Sequence, residues 1–425
     1  MPKKNYIFIY CQLLVWVTLL PIFIATPLLA QDNSSSNAIV VGYLPYYRME
    51  QVSGTIFNHL THLNYFILAP NSKGELGKAE KNGGFTPLSQ FPQFYKDIET
   101  LKRWRGKLKT KIFLVLGGWY ESDYFDEMAA SASSRSHFIS NVKQILEDYQ
   151  LDGVDFDWEG YKGAVDNANY QLLLTEMEQA FKGTSFEISV AIACSHTSLA
   201  PIFKQIQLSH IGLMSYGRIF QDEMQVSINQ LKGYVNDWIK AGIKAEQLVA
   251  GVPFYACTPA DYSAITYQSV ISKYNPAPSV NKITHNNKIY YYNGVDVMKA
   301  KAQYVLDAKL KGIMIWEVGQ DTDPSHSKSL LKAINEVIPV DEIITTVPTN
   351  ATAHSIQFFP NPFQNQLTIQ GASNFSLRIF NQRGVLVHAA LNSSSIINTS
   401  HLKTGFYFIQ VITPQQTTTY KLLKQ

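Results

Sequence analysis

The sequence predicts an α/β protein: a closed (β/α)8 barrel of the TIM type followed by a small C-terminal β-sandwich. Three observations carry that prediction. Short apolar runs rich in Val, Ile and Leu recur eight times between residues 38 and 338. Amphipathic stretches of helical period, such as 136–149 and 167–181, separate them. Beyond about residue 355 the texture changes to short runs broken by turn residues.

Taken in order, the apolar runs are 39–44, 60–67, 111–116, 153–159, 187–193, 210–214, 248–253 and 312–316. Near-continuous apolar runs suit strands buried on both faces, and their alternation with helices implies parallel crossovers. Eight such units over about 300 residues fit a closed barrel. An open doubly wound sheet would want a glycine-rich phosphate turn after its first strand, and Tyr43-Leu44-Pro45 is not one. Residues 339–354, rich in Thr, Pro and Val, read as a linker. Within 355–425, β runs are expected at 366–370, 377–380, 385–388, 406–411 and 418–423, with Gly384 in a hairpin turn. Phe406, Tyr407 and Phe408 are consecutive and read largely as core. That reading argues against a carbohydrate-binding module, which would want exposed aromatics in a row.

The 425 residues are 46% hydrophobic and 16% charged, which places the chain among globular proteins. A formal net charge of only +3, with no basic run, argues against nucleic acid as a partner. Aromatics make up 12% of the chain; packing accounts for most of them, and sugar clefts use such rings as well. Lys3 and Lys4, the apolar run 6–24 and Leu28-Leu29-Ala30 before Gln31 predict a cleaved signal peptide over residues 1–30. An uncleaved anchor is the rival, and Pro21 interrupts its apolar core. No second long apolar run follows, so the mature protein is expected to be soluble. Cys194 and Cys257 are expected as free thiols. With no CxxC or HExxH, neither a metal nor a cofactor is predicted.

The chemistry concentrates in Leu151-Asp152-Gly153-Val154-Asp155-Phe156-Asp157-Trp158-Glu159. On a strand, Asp155, Asp157 and Glu159 share one face, while Val154, Phe156 and Trp158 take the other. Unpaired buried charge is costly, so an acidic face inside a barrel is not a packing choice. Carboxyls about 6–7 Å apart along a strand cannot all ionise comfortably. One pKa rises, and a raised Glu at the strand's C-terminal end is what a general acid needs. The rival reading is a solvated or cation-binding strand end.

At these residues the sequence resembles the family 18 glycoside hydrolases, the chitinase family, through their Asp-x-x-Asp-x-Asp-x-Glu signature. Gly42-Tyr43, Asn64-Tyr65-Phe66, Gly117-Gly118-Trp119, Met214-Ser215-Tyr216, Gly251-Val252-Pro253-Phe254-Tyr255 and Gly312-Ile313-Met314-Ile315-Trp316 resemble the family's other strand ends. The resemblance implies a retaining, substrate-assisted hydrolase of β-1,4 bonds beside N-acetylglucosamine. Glu159 would be the acid. Asp157 would hold the 2-acetamido group, Asp155 would share its proton, and Tyr216 would bond the same group. Trp316 would form the floor and Trp119 a neighbouring stacking surface. Tyr43, Phe66, Met214 and Tyr255 would complete the sugar site, with Asp152, Gly117 and Gly118 supporting the motif. The chain departs from the family at Gly217, where an Asp usually follows the Tyr. It departs again at Val115, which replaces a Ser that supports the Asp pair, and at Ala256-Cys257. Residues 256–311 correspond to the family's inserted subdomain but are short, which implies an open cleft suited to internal cuts.

The tail carries a second resemblance. Phe359-Pro360-Asn361-Pro362, Gly384, Leu402-Lys403-Thr404-Gly405-Phe406-Tyr407 and Lys421-Leu422-Leu423-Lys424 are similar to the sorting domain of the Bacteroidetes type 9 secretion system. The expected partners are therefore chitin or another N-acetylglucosamine glycan and a secretion machinery, for a monomer that is secreted or held at the cell surface. Two alternatives stay open: an endo-β-N-acetylglucosaminidase acting on N-glycans, and a non-catalytic, lectin-like barrel. Lectins of this kind typically lose the acid, and Glu159 is present.

Overall fold

All eight predicted runs become parallel strands of one closed barrel, in which closure and the surrounding helices bury both faces of each strand. They are β1 (Ile39–Pro45), β2 (His62–Pro70), β3 (Lys111–Gly117), β4 (Gly153–Asp157), β5 (Glu187–Ala193), β6 (Ile211–Met214), β7 (Leu248–Pro253) and β8 (Gly312–Trp316). Each pairs with its neighbours in sequence order, and β8 pairs back onto β1 with Ile39 opposite Gly312. The computed structural model describes residues 38–80, 83–119, 121–159, 167–217, 220–340, 356–370, 375–381, 386–390, 395–412 and 417–425. The predicted signal peptide, most of the linker and the Gly384 turn lie outside the described residues.

Inside the barrel Val41, Val115, Ala191, Val249 and Met314 form an apolar layer beneath the open end. Outside it, Val154, Phe156 and Trp158 face the helices, as strand alternation requires. Trp158 packs its ring 5.0 Å from both Tyr170 and Phe125. The surrounding helices include α1 (Pro92–Arg105), α2 (Ala132–Tyr149) and α3 (Asn167–Phe181). α2 starts four residues before the predicted 136, because the Ser131 hydroxyl accepts the Ser134 N–H and caps the earlier turn.

β2 begins later than predicted and runs on to Pro70, where it pairs antiparallel with the strand Leu76–Ala79 in an excursion that periodicity does not reveal. β4 ends at Asp157, so Glu159 sits just past the strand. The insertion contains a four-stranded antiparallel sheet built from Tyr255–Cys257, Ala264–Thr266, Lys282–His285 and Lys288–Tyr291. Cys257 lies in that sheet rather than at the end of a barrel strand; both Cys257 and Cys194 are buried thiols.

The contacts divide the chain into two units, 1–343 and 344–425. The second contains an antiparallel three-stranded sheet and an antiparallel four-stranded sheet. They share a core of Phe363, Leu367, Ile369, Leu377, Ile379, Tyr407 and Ile409. One expectation is corrected here. Phe406 and Phe408 are 45% and 38% exposed, and only Tyr407 is buried. The strand Gly405–Ile412 alternates, so one face alone reaches the core. The argument from core aromatics against a carbohydrate-binding module therefore fails. Among the described residues, no helix is long and apolar enough to cross a membrane.

At the start of β2, the His62 ring is buried against Phe113 and His210. Burial, with Lys111 and Lys311 nearby, pushes its pKa down to about 3. Its folded value lies below the unfolded 6.5, so the stability it contributes is full above pH 6.5 and is lost as the pH falls towards 3. We predict that unfolding free energy falls over that window by roughly 1.4 kcal/mol per pH unit from this group. Denaturant titrations of His62→Gln should show a shallower pH slope, and an unchanged slope would contradict the assignment.

Candidate active site

A cavity of about 840 Å³ opens over the C-terminal ends of the barrel strands. Phe66, Trp119, Asp157, Glu159, Met214, Tyr216, Tyr255 and Trp316 all line it, so strand ends far apart in sequence meet there. Tyr43 and Asp155 lie in the layer beneath. Trp316 forms the floor, its ring centroid 5.7 Å from Tyr43 and 5.2 Å from Phe66, the latter edge-on. Trp119 stands as a half-exposed wall. Asp152 lies away from the cavity at the other end of β4. Its Oδ2 accepts the Ile112 N–H at 2.8 Å and Arg105 Nη1 at 2.6 Å, which ties α1 to β3.

The three carboxyls have distinct surroundings. Asp155 is fully buried, and both of its oxygens accept hydroxyl protons. Tyr43 donates to Oδ2 and Ser189 to Oδ1, each at 2.5 Å. Burial raises its pKa, and the two hydroxyls oppose that rise. Val115 is the residue opposite Asp155 on β3, so no hydroxyl comes from that side. Ser189, opposite Asp155 on β5, supplies it instead. Sequence reasoning missed this substitution; a hydroxyl in register on the next strand was the signal.

Asp157 is buried as well, and its Oδ1 has no hydrogen-bond partner. Burial, then the charges of Glu159, Asp155 and Glu121, push its pKa well up. Glu159 reaches the cavity from just beyond β4. Its backbone N–H donates to Ser122 Oγ at 2.9 Å, and that hydroxyl donates to the Gly118 carbonyl at 2.7 Å. Burial, with Glu121 adding to it, pushes the Glu159 pKa up to about 7. The Tyr216 phenol is held well above its usual range by burial and by the carboxylates, so it stays a donor.

Gly117 and Gly118 let this loop close over the acids. Both have positive φ, 104° and 128°. A Cβ at Gly117 would meet the Asp157 carbonyl at 2.5 Å, and one at Gly118 would meet the Phe66 ring at 2.7 Å. Gly217 also lines the cavity, and a Cβ there would meet nothing within 4 Å. Sequence reasoning missed Tyr46 and Tyr47, on the short 3-10 helix Tyr46–Gln51, and Glu121 and Ser122, in the turn after β3.

Comparison with known proteins now adds to this geometry. A family model described as glycosyl hydrolases family 18 matches residues 39–321. A second, described as a secretion system C-terminal sorting domain, matches residues 357–425. The chain is 24% identical to Chitinase A1 of Niallia circulans, over 64% of this chain and 50% of that protein. It is 23% identical to Chitotriosidase-1 of Mus musculus, over 66% of this chain and 72% of that one. It therefore spans only half the length of the first of these relatives. Among solved structures, the GH18 chitinase ChiB from the chitin utilization locus of Flavobacterium johnsoniae aligns with a TM-score of 0.59. That match is 24% identical and covers 72% of this chain and 94% of the other.

These surroundings predict that Glu159 titrates near pH 7 and that Glu121→Gln lowers its midpoint, since a nearby negative charge is removed. Difference infrared spectroscopy against Glu159→Gln reads that carboxyl directly. A midpoint in the ordinary glutamate range would contradict the account.

Proposed function

The chain belongs to the family 18 glycosyl hydrolases, and we propose that it is an exported, chitinase-type hydrolase that cuts β-1,4 bonds of N-acetylglucosamine polymers with retention. One observation carries the mechanism: Asp157 presents a buried, unpartnered Oδ1 between a fully bonded Asp155 and the acid Glu159. An unpaired acceptor of that kind is costly unless substrate completes it. An acetamido N–H is a donor of the right kind.

In this reading Glu159 protonates the glycosidic oxygen. The acetamido carbonyl oxygen attacks the anomeric carbon from the other face, and an oxazolinium ion forms. Asp157 holds the amide N–H and stabilises the positive charge that develops, while Asp155 shares the proton of the pair. Tyr216 donates to the acetamido group, and Trp316 supports the sugar ring. Glu159, now ionised, takes a proton from water, which opens the ring and restores the β configuration. An inverting scheme would need a second free carboxylate to activate water. Glu317 and Asp321 follow β8, but each is engaged. Glu317 contacts Arg48 and accepts the Gly319 N–H. Asp321 accepts Ser329 Oγ and the Leu330 and Leu331 N–H groups.

Among its described residues the cavity is lined by three carboxyl groups and no cationic side chain. That balance favours a neutral sugar over one carrying a carboxylate. The open space at Gly217 favours a second reading, in which a bulkier N-glycan core enters beside Tyr216. Products from chitin oligomers compared with those from a high-mannose glycoprotein distinguish the two. The sorting domain supports export to the cell surface or medium.

Two outcomes are expected. Glu159→Gln should keep the fold and sugar binding yet lose about 10²–10⁴-fold in kcat, and Asp157→Ala should lose nearly as much. Near-normal turnover in either pure variant would contradict the assignment. Deleting residues 356–425 should leave kcat unchanged while the protein stays inside the cell; continued export would contradict the role given to the tail.

A further inference from the structure

Glu317 is a buried carboxyl that the reaction does not use. It directly follows the floor residue Trp316 and is 1% exposed. Its Oε1 lies 2.9 Å from Arg48 Nε, an ion-pair contact in which neither atom is in line for a hydrogen bond. Its Oε2 accepts the Gly319 N–H at 2.8 Å. Arg48 comes from the 3-10 helix Tyr46–Gln51 that follows β1. Gly319 makes the approach possible, since a Cβ there would meet the Arg48 Cβ at 2.9 Å.

The same helix carries Tyr46 and Tyr47, and both rings line the cavity. Tyr47 is 53% exposed and packs edge-on against Tyr46, with centroids 5.3 Å apart. The Arg48 guanidinium carbon lies 5.9 Å from the Tyr47 ring centre. A half-exposed ring on a short 3-10 helix has little packing to hold it in one place. A charge anchored under the neighbouring strand end supplies the missing constraint, and burial on the Glu317 side makes the contact stronger than an exposed pair.

We propose that Arg48 and Glu317 are a positioning pair that fixes the Tyr46–Tyr47 wall against the Trp316 floor and so sets the width of the sugar cleft. The idea rests on the glycan-hydrolase reading for its substrate, but its geometry does not. The groups facing Glu317 are Arg48 and Tyr47 from the helix after β1, with Gln320 and the Gly319 N–H on its own turn. Burial pushes the Glu317 pKa up to about 7, while Arg48 and the Gly319 N–H oppose the rise. The carboxylate that attracts Arg48 is thus present above about pH 7 and is neutralised as the pH falls below it. Wall and floor then part at acid pH, which weakens sugar binding. Glu159, in contrast, loses its proton at higher pH, which slows chemistry.

The experiment uses the full-length protein with N-acetylchitooligosaccharides, comparing wild type, Arg48→Ala, Arg48→Lys and Glu317→Gln. Arg48→Ala and Glu317→Gln should raise KM roughly tenfold with a smaller change in kcat. Arg48→Lys should recover most of the loss. In Glu317→Gln the rise of KM towards acid pH should disappear. Amide hydrogen exchange over residues 46–51 should quicken in Arg48→Ala, a readout that needs no substrate. Folded variants with wild-type KM and wild-type exchange would overturn the pair. A wild type inert towards the oligosaccharides would overturn the glycan reading instead, and the exchange data would still decide the positioning role.

Discussion

The organising constraint is the Asp155 carboxyl, buried at the centre of the barrel. A charge there costs several kcal/mol, roughly, unless hydrogen bonds replace the water it has lost. Tyr43 from β1 and Ser189 from β5 supply those bonds and use up both oxygens. One bond thus comes from the strand beside β4 and the other from across the barrel, so the carboxyl ties β1, β4 and β5 around one group. Above it Asp157 keeps an acceptor with no protein partner, and burial, with the charge of Glu121, lifts the next acid along, Glu159, into the range where it can donate a proton near neutrality. The acid ladder is thus a graded set: a carboxyl with both oxygens bonded at the bottom, an open acceptor in the middle and a raised acid at the rim.

The loop after β3 makes that gradient sharp. Gly118 donates its N–H to the Asp157 carbonyl at 2.7 Å, and Ser122 links the Gly118 carbonyl to the Glu159 N–H. The backbone of both acids is therefore tied to one short segment, and only glycine fits the two positions of closest approach. The same segment brings Glu121 to the cavity, where its charge adds to burial in keeping Glu159 protonated to higher pH. On the opposite side, the ion pair of Arg48 and Glu317 joins the first and last strand ends, so the cleft is bounded by two ties that close the barrel's open end.

Local pattern made the eight strands and the acid face legible, because burial on both faces and a period of two leave direct marks in the residue order. Most residues that line the cavity were legible for a related reason: they sit at strand ends, where a run stops. What local pattern does not carry is a partner fixed by closure. Val115 suggested a weakened Asp pair, yet the hydroxyl arrives from Ser189 on the opposite neighbour. Tyr47 lies on a short 3-10 helix and Glu121 in a turn, and only the closed barrel brings them to the cleft. In the small domain, three consecutive aromatics look like core by composition, but a strand buries alternate residues, so Phe406 and Phe408 face outward.

The central claim is that the substrate's own acetamido group, held by Asp157, is the nucleophile. The anomeric form of the first product tests it most directly. Proton NMR of fresh hydrolysate from an N-acetylglucosamine oligomer should show the β anomer first, with the α form growing in only by mutarotation. An initial α anomer would contradict the account, since it would require direct attack by water in place of the acetamido group.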